Sequence, residues 1–143
     1  MSQPSLHLSK KLKKTLHSEV LTCGEATMRL LARYGVDTVF GIPGVHTLDF
    51  CHGLKDGPIR HIQARNEQGA GFMADGYARL SGRPGVALVI SGPGVTNALT
   101  AVGQSWADSI PMLLLSSETD SRTHGKGWGA LHEILDQRAV TSP

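Results

Sequence analysis

Cysteine is scarce in this chain of 143 residues: Cys23 and Cys51 stand far apart and in no CxxC arrangement. That excludes a disulfide framework and a cysteine-based zinc site, and it suits a reducing cytoplasm. Seven histidines occur without an HxH or HExxH spacing, so no metal site is assigned to these residues. A Gly-x-Ser-x-Gly elbow is missing, which argues against a serine hydrolase. No apolar run approaches the ~20 residues of a membrane span, and the N-terminus lacks the unbroken apolar stretch of a secretory signal. A surplus of one charge is also missing from most of the chain. The net charge of +2 comes from Lys10, Lys11, Lys13 and Lys14; beyond residue 18, ten Lys/Arg face twelve Asp/Glu. A slightly acidic body gives no electrostatic reason to expect nucleic acid as a partner. Residues 1–19 read as a basic, disordered leader, and residues 20–143 as one domain large enough to bury a core.

What is present is an alternation of short apolar runs and helical periods. Thr22-Cys23-Gly24-Glu25 has capping-box spacing and opens a helix that Gly35 stops. Residues 37–40 read as a strand, 47–54 as a helix broken by Gly53, Asp56, Gly57 and Pro58, and 59–64 as a strand. A helix follows over 67–80, with Gly69, Ala70, Gly71, Ala74 and Ala78 on one small-residue face. Residues 86–90 form an apolar strand, about 96–108 a helix, and 112–115 another apolar strand. Residues 117–130 are polar and Gly-rich without a period, and 131–140 read as one more helix. Strands apolar on both faces, alternating with helices, indicate a doubly wound α/β fold with a mainly parallel sheet and helices on both faces. The pattern stops short of a complete domain, so a C-terminally truncated piece is expected.

In such a sheet, ligands sit at the carboxyl ends of the strands. Those ends carry 41–44, 65–67, 92–94 and 116–118, so unusual loop chemistry converges on one edge. Glu67 stands at a strand-to-helix junction. An acid there complements the helix dipole, yet Gly69, Ala70 and Gly71 also strip bulk from its surroundings. Gly92-Pro93-Gly94-Val95-Thr96-Asn97 opens a helix after an apolar strand, the context of an anion-binding turn. With Asn97 in place of a third glycine and no acid closing the next strand, it is a poor dinucleotide fingerprint. The alternative is a tight turn with Pro93 in the first helical turn and Asn97 bonding locally.

Taken together, Gly41-Ile42-Pro43-Gly44, Glu67-Gln68-Gly69-Ala70 running into Ala74-Asp75-Gly76-Tyr77-Ala78-Arg79, Gly92-Pro93-Gly94-Val95-Thr96-Asn97, Asp108-Ser109-Ile110-Pro111-Met112 and Leu131-His132-Glu133 resemble one family. It is the N-terminal, pyrimidine-binding domain of thiamin-diphosphate enzymes of the acetolactate synthase and 2-oxoacid decarboxylase type. The motifs run in family order from about residue 20 to the end. Residues 41–46 and 131–138 are most similar to bacterial 5-guanidino-2-oxopentanoate decarboxylases.

The resemblance implies thiamin diphosphate as cofactor and a 2-oxo acid as substrate. Glu67 would bond the aminopyrimidine nitrogen, sheltered from water, and so activate the cofactor. Pro43, Gly44, Pro93 and Asn97 match positions beside the pyrimidine. His132 falls where acetolactate synthases carry a glutamine and could act as an acid or base, which favours a decarboxylase over an acetolactate synthase large-subunit fragment. Asn66 departs from the family's usual histidine. The diphosphate and Mg²⁺ would be held by a Gly-Asp-Gly…Asn segment absent from these residues. A homodimer or homotetramer is implied, FAD is not indicated, and the piece alone is expected to be inactive. The readings from other classes are a non-catalytic dimerising remnant and, last, a nucleotide binder using 92–97.

Overall fold

The computed structural model describes residues 20–55 and 57–142; the basic leader expected over 1–19 lies outside the described residues. Helix α1 (Cys23–Arg33) starts at the expected capping box, in which the Thr22 hydroxyl accepts from the Glu25 amide at 3.2 Å and Glu25 Oε2 accepts from the Thr22 amide at 2.8 Å. Strand β1 (Thr38–Gly41) leads through a 3-10 turn (Val45–Thr47) into α2 (Leu48–Lys55) and β2 (Arg60–Gln63). Helix α3 (Glu67–Ser81), β3 (Gly85–Val89), α4 (Pro93–Ala107), β4 (Met112–Ser116) and a short α5 (Gln137–Thr141) complete the order.

The four strands form one sheet in the order β2-β1-β3-β4, with every neighbouring pair parallel. The expected α/β architecture is therefore present. Alternation along the strands explains the layering. Val39, Val86 and Leu88 pack with Met28, Leu54 and Ile59 on the face covered by α1 and α2. Phe40 and Ala87 point the other way and pack with Ala70 and Ala74 of α3, while Val89 packs with Val95 and Ala98 of α4. The chain leaves β1 toward β2 on one side and returns to β3 on the other, so the topological switch point lies between β1 and β3.

Three local expectations need correction. Gly53 does not break its helix but lies inside α2, where a Cβ would come within 2.8 Å of the Glu25 backbone; glycine lets α1 and α2 approach closely. Gly69 is not on the small-residue face of α3. Ala70, Gly71, Ala74 and Ala78 are buried there, whereas Gly69 faces open space. The helix expected over 131–140 is confined to Gln137–Thr141. His132 has a left-handed backbone (φ 57°), and the Glu133 carboxylate accepts from the amides of Gly127, Gly129 and Ala130. Those local side-chain-to-backbone bonds hold 127–133 as an ordered loop where sequence periodicity points to a helix.

Helices α3 and α4 are tied by a buried carboxylate. Asp75 is 6% exposed; it accepts from Arg79 Nε at 2.6 Å and from Ser105 Oγ at 2.7 Å, and Arg79 reaches on to Asp108 at 2.6 Å. The Arg79 guanidinium, helped by Ser105, holds the Asp75 carboxyl below its ordinary range, and Asp108 is lowered by Arg79 and then Gln104. A depressed folded-state value means stability that is present above the unfolded value of about 3.9 and lost as pH falls through the folded one. Asp75→Asn is therefore expected to cost about 1–3 kcal/mol at pH 7. Melting curves should show the variant and wild type converging as pH drops from 5 toward 3. A gap that stays constant with pH would show that the charge is not what binds the two helices.

Candidate functional site

The sheet's carboxyl edge is built from loops whose conformations have local causes. After β2, Asn66 takes the N-cap position of α3, its side chain accepting from the Gln68 amide at 2.9 Å. This accounts for a short polar residue there and sets Glu67 in the first helical turn, where the dipole favours an acid. After β3, Gly92 adopts φ 62° and ψ −113°, the conformation of the first central residue of a type II′ turn. Pro93 follows at the first position of α4, one turn earlier than the period alone suggests, and suits a site that lacks an intrahelical N–H partner.

Asn97 does not bond locally. Its Nδ2 donates to Glu67 Oε2 at 3.0 Å, joining the first turns of α3 and α4 across the edge. Glu67 is half-buried, and its other oxygen, Oε1, has no hydrogen-bond partner among the described residues. A carboxyl fixed through one oxygen and open at the other can accept or share a proton with a group placed beside it.

The remaining expected residues fall into two groups. Gly44 lies against the β3 end, where a Cβ would meet Ile90 Cδ1 at 2.8 Å, and the His132 backbone lies against Gly92, where a Cβ would meet the His132 carbonyl at 2.4 Å. Pro93 is exposed at the start of α4. Pro43, also exposed, turns toward a cleft that it shares with Cys51, Lys55 and His61 on the α2 side. Gly44, Glu67, Pro93, Asn97 and His132 thus belong to one edge, and Pro43 lies at its margin.

Three residues beyond those expectations shape the edge. Gln137 accepts from the Gly92 amide at 2.8 Å and donates to the Ser117 carbonyl at 3.2 Å, fastening the last helix to the ends of β3 and β4. His46 Nδ1 lies 2.6 Å from Ser91 Oγ, across the β1–β3 switch point. Its ring meets that of His132 edge-on, with centroids 6.3 Å apart. The local sequence does not show which groups His46 and Gln137 meet, because Ser91 and the Gly92 amide lie 45 residues away. Among the described residues, no group of three or more His, Cys, Asp or Glu side chains could hold a metal ion, and no helix is long and apolar enough to cross a membrane.

Comparison with known proteins places this edge in context. Residues 21–140 match the family described as thiamine pyrophosphate enzyme, N-terminal TPP binding domain. The chain is 65% identical over 125 residues to the Pseudomonas aeruginosa protein named probable 2-ketoarginine decarboxylase, covering 87% of this chain and 22% of that protein. It is 46% identical over 126 residues to the Escherichia coli acetolactate synthase isozyme 3 large subunit, covering 87% of this chain and 21% of that one. To the Buchnera aphidicola (Schizaphis graminum) acetolactate synthase large subunit it is 45% identical over 108 residues, 75% of this chain and 19% of the relative. The chain therefore spans about a fifth of the length of the curated relatives it matches.

Proposed function

Because the chain belongs to the thiamine pyrophosphate enzymes, as their N-terminal TPP-binding domain, we propose that it supplies the cofactor-activating wall of an enzyme that decarboxylates a 2-oxo acid. One observation carries the reading: Glu67 is held by Asn97 through one carboxylate oxygen while the other stays unpartnered. The residues fit the aminopyrimidine of thiamin diphosphate. A single proton-sharing oxygen lies at a junction whose neighbouring loops carry Gly44, Pro93 and the Asn97 amide.

Bound thiamin diphosphate supplies the electron sink that a 2-oxo acid needs in order to lose carbon dioxide. Glu67 Oε1 holds the proton shared with the ring nitrogen, and Asn97 fixes the orientation of that carboxyl. Gly44, Pro93 and, at the margin, Pro43 shape the wall. His132, ring to ring with His46, serves as the acid or base on the substrate side. Diphosphate and Mg²⁺ are assigned to a segment of the longer protein, so this piece by itself does not turn over. A homodimer is supported by α3, where Gly69, Phe72, Met73, Gly76 and Leu80 recur at helical spacing and Phe72, Met73 and Leu80 are exposed. The two free cysteines suit a reducing, cytoplasmic setting.

Decarboxylation is preferred to carboligation because identity is 65% to the relative named for 2-ketoarginine decarboxylation and 45–46% to the acetolactate synthases. The full-length protein with thiamin diphosphate and Mg²⁺ is expected to release carbon dioxide from 5-guanidino-2-oxopentanoate with a kcat/KM more than roughly tenfold above that for acetolactate formation from pyruvate. The reverse ratio, measured by coupled carbon dioxide release and product analysis, would assign the protein to the carboligases.

A further inference from the structure

Resting on that reading, we propose that His46 is a substrate-binding residue: a neutral imidazole whose Nε2–H holds the carboxylate of the 2-oxo acid, with Ser91 as its positioning residue. The case begins with the serine. Ser91 is fully buried, and the only partner of its hydroxyl among the described residues is His46 Nδ1 at 2.6 Å. If Nδ1 carried the proton, Ser91 would accept, and its own hydrogen would be left buried and unpaired. Ser91 therefore donates to Nδ1, and the ring proton resides on Nε2.

That nitrogen is on the far side of the ring from Ser91. It has no hydrogen-bond partner among the described residues, and the ring is half-buried beside His132. The position also selects a ligand. The His46–Ser91 bond spans the loops after β1 and β3, where the strand order reverses, and parallel sheets bind ligands in that crevice. A lone N–H donor there calls for an acceptor oxygen. A neutral donor suits a carboxylate that must depart as uncharged carbon dioxide, since a cationic one would stabilise the ground state more than the transition state.

Asparagine and glutamine separate this role from a mere latch between loops. In His46→Asn the amide superposes on Nδ1 and keeps Ser91, but nothing reaches the Nε2 position; in His46→Gln the amide nitrogen occupies that position. In the full-length holoenzyme, His46→Asn is expected to raise KM for pyruvate and 5-guanidino-2-oxopentanoate, and Kd for the unreactive mimic oxamate, on the order of 30-fold, with kcat changed less than about threefold. His46→Gln should recover most of that loss. Long-range proton–nitrogen NMR of the imidazole should report the Nε2–H tautomer in wild type and a tautomer mixture in Ser91→Ala. Unchanged KM and oxamate affinity in His46→Asn, or an Nδ1–H tautomer in wild type, overturns the proposal. A Glu67→Gln variant run alongside separates the two readings. If it retains exchange at the cofactor, the underlying function fails. If it is inactive while His46→Asn binds normally, only the role of His46 fails.

Discussion

Glu67→Gln in the full-length protein is expected to lower kcat/KM for 2-oxo acids by about 10²- to 10⁴-fold, the range for removing a positioned proton-transfer group. The substitution is nearly isosteric. Its amide oxygen can still accept from Asn97 Nδ2, which now bonds Glu67 Oε2 at 3.0 Å, so the α3–α4 junction should persist. What is lost is a group that can take up and return a proton at the open oxygen. Loss of the negative charge from the first turn of α3 removes only about 0.3–1 kcal/mol of helix-dipole stabilisation. Melting should therefore stay close to wild type while hydrogen–deuterium exchange at the cofactor's thiazolium carbon collapses. Exchange at the wild-type rate would show that the carboxyl sits near the ring without moving its proton.

Gly92→Ala is expected to damage both stability and activity. At φ 62° and ψ −113° the backbone is in a region that residues with a Cβ avoid, and the new methyl would sit 2.4 Å from the His132 carbonyl. Strain and overpacking together should cost about 3 kcal/mol, or roughly 10 °C in melting temperature for a domain of this size. The least costly relaxation moves 130–137 away from the β3 end. That would break the Gly92–Gln137 bond at 2.8 Å and withdraw His132 from His46. Hydrogen exchange should consequently accelerate in 127–137 before it does in the strands. Gly103→Ala is the control: nothing lies within 4 Å of a Cβ there, in the middle of α4. That change should be neutral or mildly stabilising through lower backbone entropy of the unfolded chain. Equal stability of the two variants would mean that the contact between the Gly92 turn and His132 does not hold the loop.

Much of the fold was legible because its signals are short-range. Thr22 and Glu25 cap α1 within four residues, and each apolar strand declares itself in about five. Pro93 needs only its own missing N–H to open α4. Glu67 was legible as a candidate through its neighbours, while the partner of its carboxylate was not. The local reading had Asn97 bonding within its own loop, and only packing of α3 on α4 set it against Glu67, 30 residues away. Gly53 reads as a helix breaker in sequence, yet close approach of α1 turns it into a contact residue. Residues 131–140 carry a helical period that loses, before Gln137, to a competing local arrangement in which Glu133 serves the amides of Gly127, Gly129 and Ala130.

The amino-acid order by itself determined the alternation of strands and helices, the parallel sheet it implies, the motifs that mark the family, and the edge on which loop chemistry gathers. Each rests on periodicity or spacing within a few residues. Tertiary structure alone decided which polar groups meet on that edge: Glu67 with Asn97, His46 with Ser91, and Gln137 with Gly92. The physical reason is range. A hydrogen bond between groups 30 to 45 residues apart depends on how the layers stack, and no local pattern carries that information.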